Sequence, residues 1–319
     1  MYRLEGPAYK TIMFTPRPFL HSDMPRLQET VAEWIATAGR DAYDHVGELP
    51  HRVYDNLRGG PPVGDLVHVW EDEHDGRVGG ITICLRFGTA FDAFCAPELR
   101  GTDAERAMLT FAADTTTRHM ADDEEYVLTD LFETDATRGR LLNELGFAFF
   151  RVWDDVNTRD LTDLPPVVVP EGFAVRAATL ADAEALAEAR NASFGSDWTG
   201  AAYRDGMMTR PGYDPGYEIV AEAPDGRIGA YTVAWVDERN GLGHFEPVGT
   251  HEAFRRRGLA SAVMTEAMRR MAELGLRRVT VNHDAENAPA AKLYGSLGFT
   301  RECRTHGYRR AKAQDSTSR

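Results

Sequence analysis

Cysteine is scarce in this chain of 319 residues, which holds only Cys84, Cys95 and Cys303. Three thiols so far apart supply neither a disulfide framework nor the paired spacing of a zinc site, and no metal is expected. No stretch approaches the roughly 20 consecutive apolar residues that cross a bilayer. No N-terminal segment joins a basic start to a long apolar run, so a cytoplasmic protein with no membrane partner is expected. Positive charge is also in deficit, with 36 Lys and Arg against 50 Asp and Glu and a net charge of −14. That balance argues against nucleic acid as a general partner.

The hydrophobic fraction, 43%, is ordinary for a globular chain, and the length suits two domains of about 150 residues. Charge is unevenly spread. Residues 251–319 hold 14 basic against 7 acidic side chains, while 1–250 hold 22 against 43. The basic excess surrounds Arg255-Arg256-Arg257-Gly258-Leu259-Ala260, between an apolar run from Phe245 to Thr250 and a helical segment over 259–274. A strand that turns through glycine into a helix leaves backbone N–H groups unpaired at the helix start, where the macrodipole is positive. Gly258 allows close approach of a bulky anion and Ala260 keeps the approach open, so this turn reads as a pyrophosphate cradle. The helix carries Leu259, Val263, Ala267, Met268 and Met271 on one stripe, with Gly275 at its stop. A short β-branched run, Val279-Thr-Val281, follows, and then Asn287-Ala-Pro-Ala-Ala-Lys-Leu-Tyr294 leads into Gly295-Ser-Leu-Gly298-Phe299.

The spacing Arg-x-x-Gly-x-Ala resembles the acyl-CoA signature of the GNAT superfamily of N-acyltransferases, and the segment 287–299 resembles the second signature of that family. The resemblance covers roughly 173–310. It implies an α/β fold, with a mixed, twisted sheet flanked by helices and splayed at the CoA-binding strands. It also implies that Val248, Gly249 and Thr250 hold the pantetheine and acyl carbonyl through their backbone. Arg255, Arg256, Arg257, Gly258, Leu259, Ala260 and Ser261 then hold the pyrophosphate, and Asn287 the pantetheine arm. Tyr294 matches the family tyrosine that bonds the CoA sulfur and acts as general acid.

The first half has a matching order. Phe14-Thr-Pro-Arg17 and a following helix parallel Phe173-Ala-Val-Arg176 and the helix after Thr179. Gly79–Ile83 parallels Ile228–Val233, and Glu98–Asp103 parallels the cradle. Leu141–Phe147 parallels Leu293–Phe299. Duplication is expected, giving two tandem GNAT-like lobes: an N-terminal one over 1–160, a proline-rich linker over 161–172 and a C-terminal one over 173–319. Against Arg255, Ala260 and Tyr294 the first half sets Glu98, Asp103 and Leu142, with Asp135 near the place of Asn287. Glu98 and Asp103 would repel a pyrophosphate and Asp103 would crowd it, so the N-terminal lobe is read as degenerate and the C-terminal lobe as catalytic.

Acyl transfer to an amine needs a base for the attacking nitrogen, a donor for the oxyanion and an acid for the leaving thiolate. Strand alternation would place His244, Glu246, Val248 and Thr250 on one face. Glu246 is the first candidate for the base and His244 the second. Asn282 cannot serve, and His283-Asp284 are read as loop. Trp198, Tyr203, Tyr213 and Tyr217 either line an acceptor pocket or pack. His45 and His51 are set aside as metal ligands, because six residues do not align them on a helix and Pro50 interrupts the segment. The expected activity is transfer of an acetyl group from acetyl-CoA directly to a small-molecule amine. The alternative is an acyl-CoA-binding regulatory or scaffold protein without turnover. Acceptor identity, acyl length and oligomeric state are left open.

Overall fold

The computed structural model describes residues 14–312. Its twelve strands and nine α-helices fall into two units that do not divide at the 161–172 linker. The first unit takes residues 14–44, 56–153 and 303–312; the second takes 45–55 and 154–302. Among the described residues no helix is long and apolar enough to cross a membrane.

In the first unit, β1 (Phe14–Pro18), β2 (Val67–Asp72), β3 (Val78–Arg86), β4 (Ala90–Cys95) and β5 (Tyr126–Phe132) are joined by β12 (Thr300–Ala311), which pairs antiparallel with β5. The helices are α1 (Met24–Ala38), α4 (Asp103–His119) and α5 (Ala136–Glu144). Phe91, Leu109, Ala112, Val127, Leu141 and Phe147 belong to one core.

The second unit repeats the order. It has β7 (Ala174–Ala177), α6 (Ala183–Phe194), β8 (Glu218–Glu222), β9 (Ile228–Asp237), β10 (Leu242–Thr250), α8 (Leu259–Glu273), β11 (Arg278–Asp284) and α9 (Ala288–Ser296). Its sixth strand is β6 (Ala148–Asp160), antiparallel to β11. The sixth strand of each unit is therefore the one that follows the other half's last helix.

The repetition reaches single side chains. Arg17 bonds Asp23 at 2.7 Å and Glu71 at 2.7 Å; Arg176 bonds Asp182 at 2.8 Å and Glu222 at 2.7 Å. Asp23 and Asp182 each accept from the backbone three residues earlier, at Leu20 and Thr179, and so close the same strand-to-helix turn. The short helices α2 (Glu48–His51) and α7 (Gly200–Tyr203) each run on into a π turn, Arg52–Asn56 and Arg204–Met208.

In α8 the predicted stripe is buried throughout: Leu259, Val263, Ala267, Met268 and Met271 pack with Phe245, Val279 and Val281. Burying side chains of this size contributes about 1.5–3 kcal/mol each. This packing fixes the position of the cradle at the helix start.

Candidate active site

Strands β10 and β11 run parallel and are paired only from Leu242–Arg278 to Phe245–Val281. Beyond Val281, β11 stays on β6 as far as Asp284, while β10 follows β9 to Thr250. The edge of β10 from Glu246 to Thr250 therefore has no ladder partner in β11, and a cleft opens there. A cavity of about 960 Å³ occupies it, lined by Glu246, Gly249, Gly258, Asn282, Asn287 and Tyr294 among others.

A bulge changes which side chains face which way. Phe245 pairs with Ala234, whereas Val248 pairs with Thr232, so Glu246 and Pro247 share one position opposite β9. Paired residues of antiparallel strands share a face, so the extra residue turns Val248 and Thr250 onto the Phe245 side. Val248 packs on the α8 core as Phe245 does. The expected common face of His244, Glu246, Val248 and Thr250 is thus corrected: the carboxyl and imidazole oxygens and nitrogens of Glu48, His244 and Glu246 approach within 4.8 Å of one another, and Val248 and Thr250 point away. Gly249 lies against Tyr231, where a Cβ would come within 2.4 Å of the ring.

The cradle is open. Gly258 is the N-cap of α8 at φ 80°, no side chain caps the helix, and a Cβ at Gly258 would meet nothing within 4 Å. Arg256 also adopts a positive φ of 63°, a region that disfavours non-glycine residues and recurs at functional sites. Arg255, Arg256 and Arg257 are exposed. Among the described residues no carboxylate pairs with any of the three, although Arg257 lies over the Phe254 ring at 5.5 Å.

Asn287 caps α9, its side chain accepting from the Ala290 N–H at 3.1 Å. Tyr294 is buried on the same helix, against His283 at 5.6 Å and Phe299 at 6.0 Å between ring centroids. Burial and the nearby Glu246 charge raise its phenol above the ordinary value near 10. The Asn282 side-chain oxygen is buried and unpartnered in the cleft. His283 and Asp284, expected in a loop, lie in β11, and the His283 ring meets the Asp284 backbone carbonyl at 2.8 Å.

Loss of water and the charges of Glu48, Asp154 and Asp55 raise the Glu246 carboxyl well above the usual carboxylate range, against the opposing charge of Arg190. His51, dismissed as a ligand from sequence, places Nε2 3.4 Å from Glu246. His244 is buried with both ring nitrogens engaged, one 2.8 Å from Glu48 and the other 2.8 Å from the Thr280 hydroxyl. Trp198 and Tyr203 pack around the buried Arg190 guanidinium, at 5.8 and 5.0 Å from the ring centroids. Arg190 in turn bonds Asp55 at 2.7 Å. Tyr203 and Tyr213 both donate to the buried Glu218.

Glu48, Asp55 and Arg190 are not singled out as site residues by the sequence, and His51 is weighed there only as a metal ligand and set aside. Glu48, His51 and Asp55 stand at i, i+3 and i+7, one side of a helix, in a segment that also carries Arg52. That spacing was the available signal.

The corresponding turn in the first unit is shut. Gly101 adopts φ 75° as Gly258 does, but its N–H donates to Glu105 at 2.6 Å, and Thr102 caps α4 through the Ala104 N–H. A Cβ on Gly101 would lie 2.8 Å from Thr137. Glu105 is completely buried and held by Arg138 at 2.9 Å and Arg100 at 3.4 Å. The expectation that Asp103 would crowd a ligand is corrected, since its side chain is 77% exposed. Glu98, at 51%, pairs with Arg77. The buried Glu105 carboxylate is what fills the anion site.

These features define the class: the chain has the tandem GNAT fold, and residues 183–299 match the model of the Acetyltransferase (GNAT) family. Among curated proteins it is similar to the mycothiol acetyltransferase of Pseudarthrobacter chlorophenolicus, 30% identical over 166 residues that cover 49% of this chain and 51% of that one. The matched part spans 30–53% of the length of such relatives. Among solved structures, a tandem GNAT protein from the clavulanic acid biosynthesis pathway superposes with a TM-score of 0.63 at 15% identity, covering 95% of this chain and 100% of that one. A GCN5-related N-acetyltransferase from Sphaerobacter thermophilus gives 0.60 at 20% identity, covering 94% and 96%.

Proposed function

We propose that the second unit is an acetyl-CoA-dependent N-acetyltransferase that transfers its acetyl group directly to a small-molecule amine. One observation carries this reading: the uncapped start of α8, with three arginines free of carboxylates, opens into the same cavity as Glu246 and Tyr294. The chain's groups suit the donor. Backbone N–H groups at Leu259 to Ser261 and the flanking arginines fit a pyrophosphate. The unladdered edge at Val248 to Thr250 and the orphaned Asn282 oxygen fit an amide-bearing arm such as pantetheine.

When bound, acetyl-CoA supplies an activated acyl carbon and a thiolate leaving group. Glu246 takes the proton of the amine as its nitrogen attacks. A carboxyl titrating nearer neutrality than usual is a better-matched base than an ordinary one. Tyr294 gives a proton to the departing sulfur, and its raised phenol stays protonated until then. His244 has no nitrogen left for the substrate and supports the site from behind. The first unit, its anion site filled by Glu105, is read as a non-catalytic lobe.

The name mycothiol acetyltransferase, carried by most of the curated relatives, favours a mycothiol-type acceptor within this class. Free thiol release from acetyl-CoA, followed across a panel of small-molecule amines, tests both levels. Release with at least one amine is expected, and its loss in R257E/G258V together with acetyl-CoA binding. Tight binding with no release across the panel would favour a regulatory protein instead.

A further inference from the structure

Residues 45–55 come from the first half of the chain yet belong to the second unit. We propose that Glu48 is a positioning residue for acyl transfer in the second unit: it clamps His244 and stands as a fixed negative charge behind Glu246, so that one half of the chain equips the base of the other. The proposal rests on the reading of Glu246 as the general base.

Both carboxylate oxygens of Glu48 are committed. One accepts from Arg52 Nε at 3.0 Å, the other meets His244 Nε2 at 2.8 Å, and the side chain is buried. His244 Nδ1 meets the Thr280 hydroxyl at 2.8 Å, and that hydroxyl also reaches the Gly243 carbonyl at 3.3 Å. The imidazole also stacks on His45, with ring centroids 5.4 Å apart, which holds its orientation. Burial would push Glu48 up, but the Arg52 charge and the His244 bond hold it well below the ordinary range, and it stays ionised.

Glu246 therefore works against a permanent like charge. The groups that face it come from every neighbouring element. The segment 48–55 brings Glu48, His51 and Asp55; β6 brings Asp154; α6 brings Arg190; α9 brings Tyr294. Arg190 lies on the Asp55 carboxylate, so its cation is partly spent there. Glu48 is locked in place on both oxygens.

The test compares kcat/KM against pH for the full chain, E48Q and E246Q, with acetyl-CoA affinity measured in parallel. Removing the Glu48 charge should let Glu246 ionise more readily, so the acid limb of the E48Q profile should move down by about one pH unit, a tenfold change in proton affinity. Acetyl-CoA affinity should not change. Because one member of a buried ion pair left alone is destabilising, E48Q/R52Q is measured as well, and the same downward shift is expected. An acid limb that coincides with wild type in both variants, at whatever height, overturns the proposal. Full activity in E246Q overturns the base reading instead.

Discussion

A buried carboxylate is one of the differences between the two helix-start turns. Where Glu105 sits in the first unit, the second has Ala262, four residues beyond the turn glycine in each case. E105A should leave Arg138 buried and unpaired and destabilise the fold by about 3–5 kcal/mol, measured by denaturant unfolding. It should not create a second acetyl-CoA site, because Thr102 still caps the helix. At the other site, Y294F should slow thiol release by roughly a hundredfold with little change in acetyl-CoA affinity, the mark of a lost general acid. The direction of the Glu246 shift also makes a prediction. A base raised above 4.5 is protonated over a wider acid range, so kcat/KM should begin to fall well above the pH at which ordinary carboxylates titrate.

At the scale of elements, what was legible was local. The turn into α8 and the cap at Asn287 are written in contiguous residues whose backbone demands are short-range. The stripe on α8 follows from helical periodicity. The face of β10 was not legible from alternation, since one extra residue inverts everything after it. Pro247 within the strand was the sign, because proline inside a sheet marks an edge or a bulge. The helix at 48–51 was obscured by Pro50 and, above all, by its destination. No local rule says that a segment between two elements of one unit will pack in another. Packing predictions belong here too. M268A should cost about 2–5 kcal/mol through the cavity it leaves in the α8 core. G249A should disturb the cleft, because its methyl meets the Tyr231 ring, and a fall in acetyl-CoA affinity would show it.

The whole molecule is a duplication whose halves are not its units. Element order, the paired arginine–carboxylate clusters and the repeated π turns all follow the halves. Contacts follow a different division, in which 45–55 joins the second unit and 303–312 the first. A fragment starting at the linker would keep the cradle and Tyr294 but lack Glu48, His51, Asp55 and β6. It should show no turnover even if it binds acetyl-CoA, and mixing with the complementary fragment is the control.

The traded strands bear on how the chain is made. A ribosome delivers β5 long before β12, and β5 must wait for it with one edge bare while the strands of the second half are made. Synthesis usually lets the earlier domain settle before the later one begins. Here that order is unavailable, because the first unit is completed only by a strand that follows the second half's last helix.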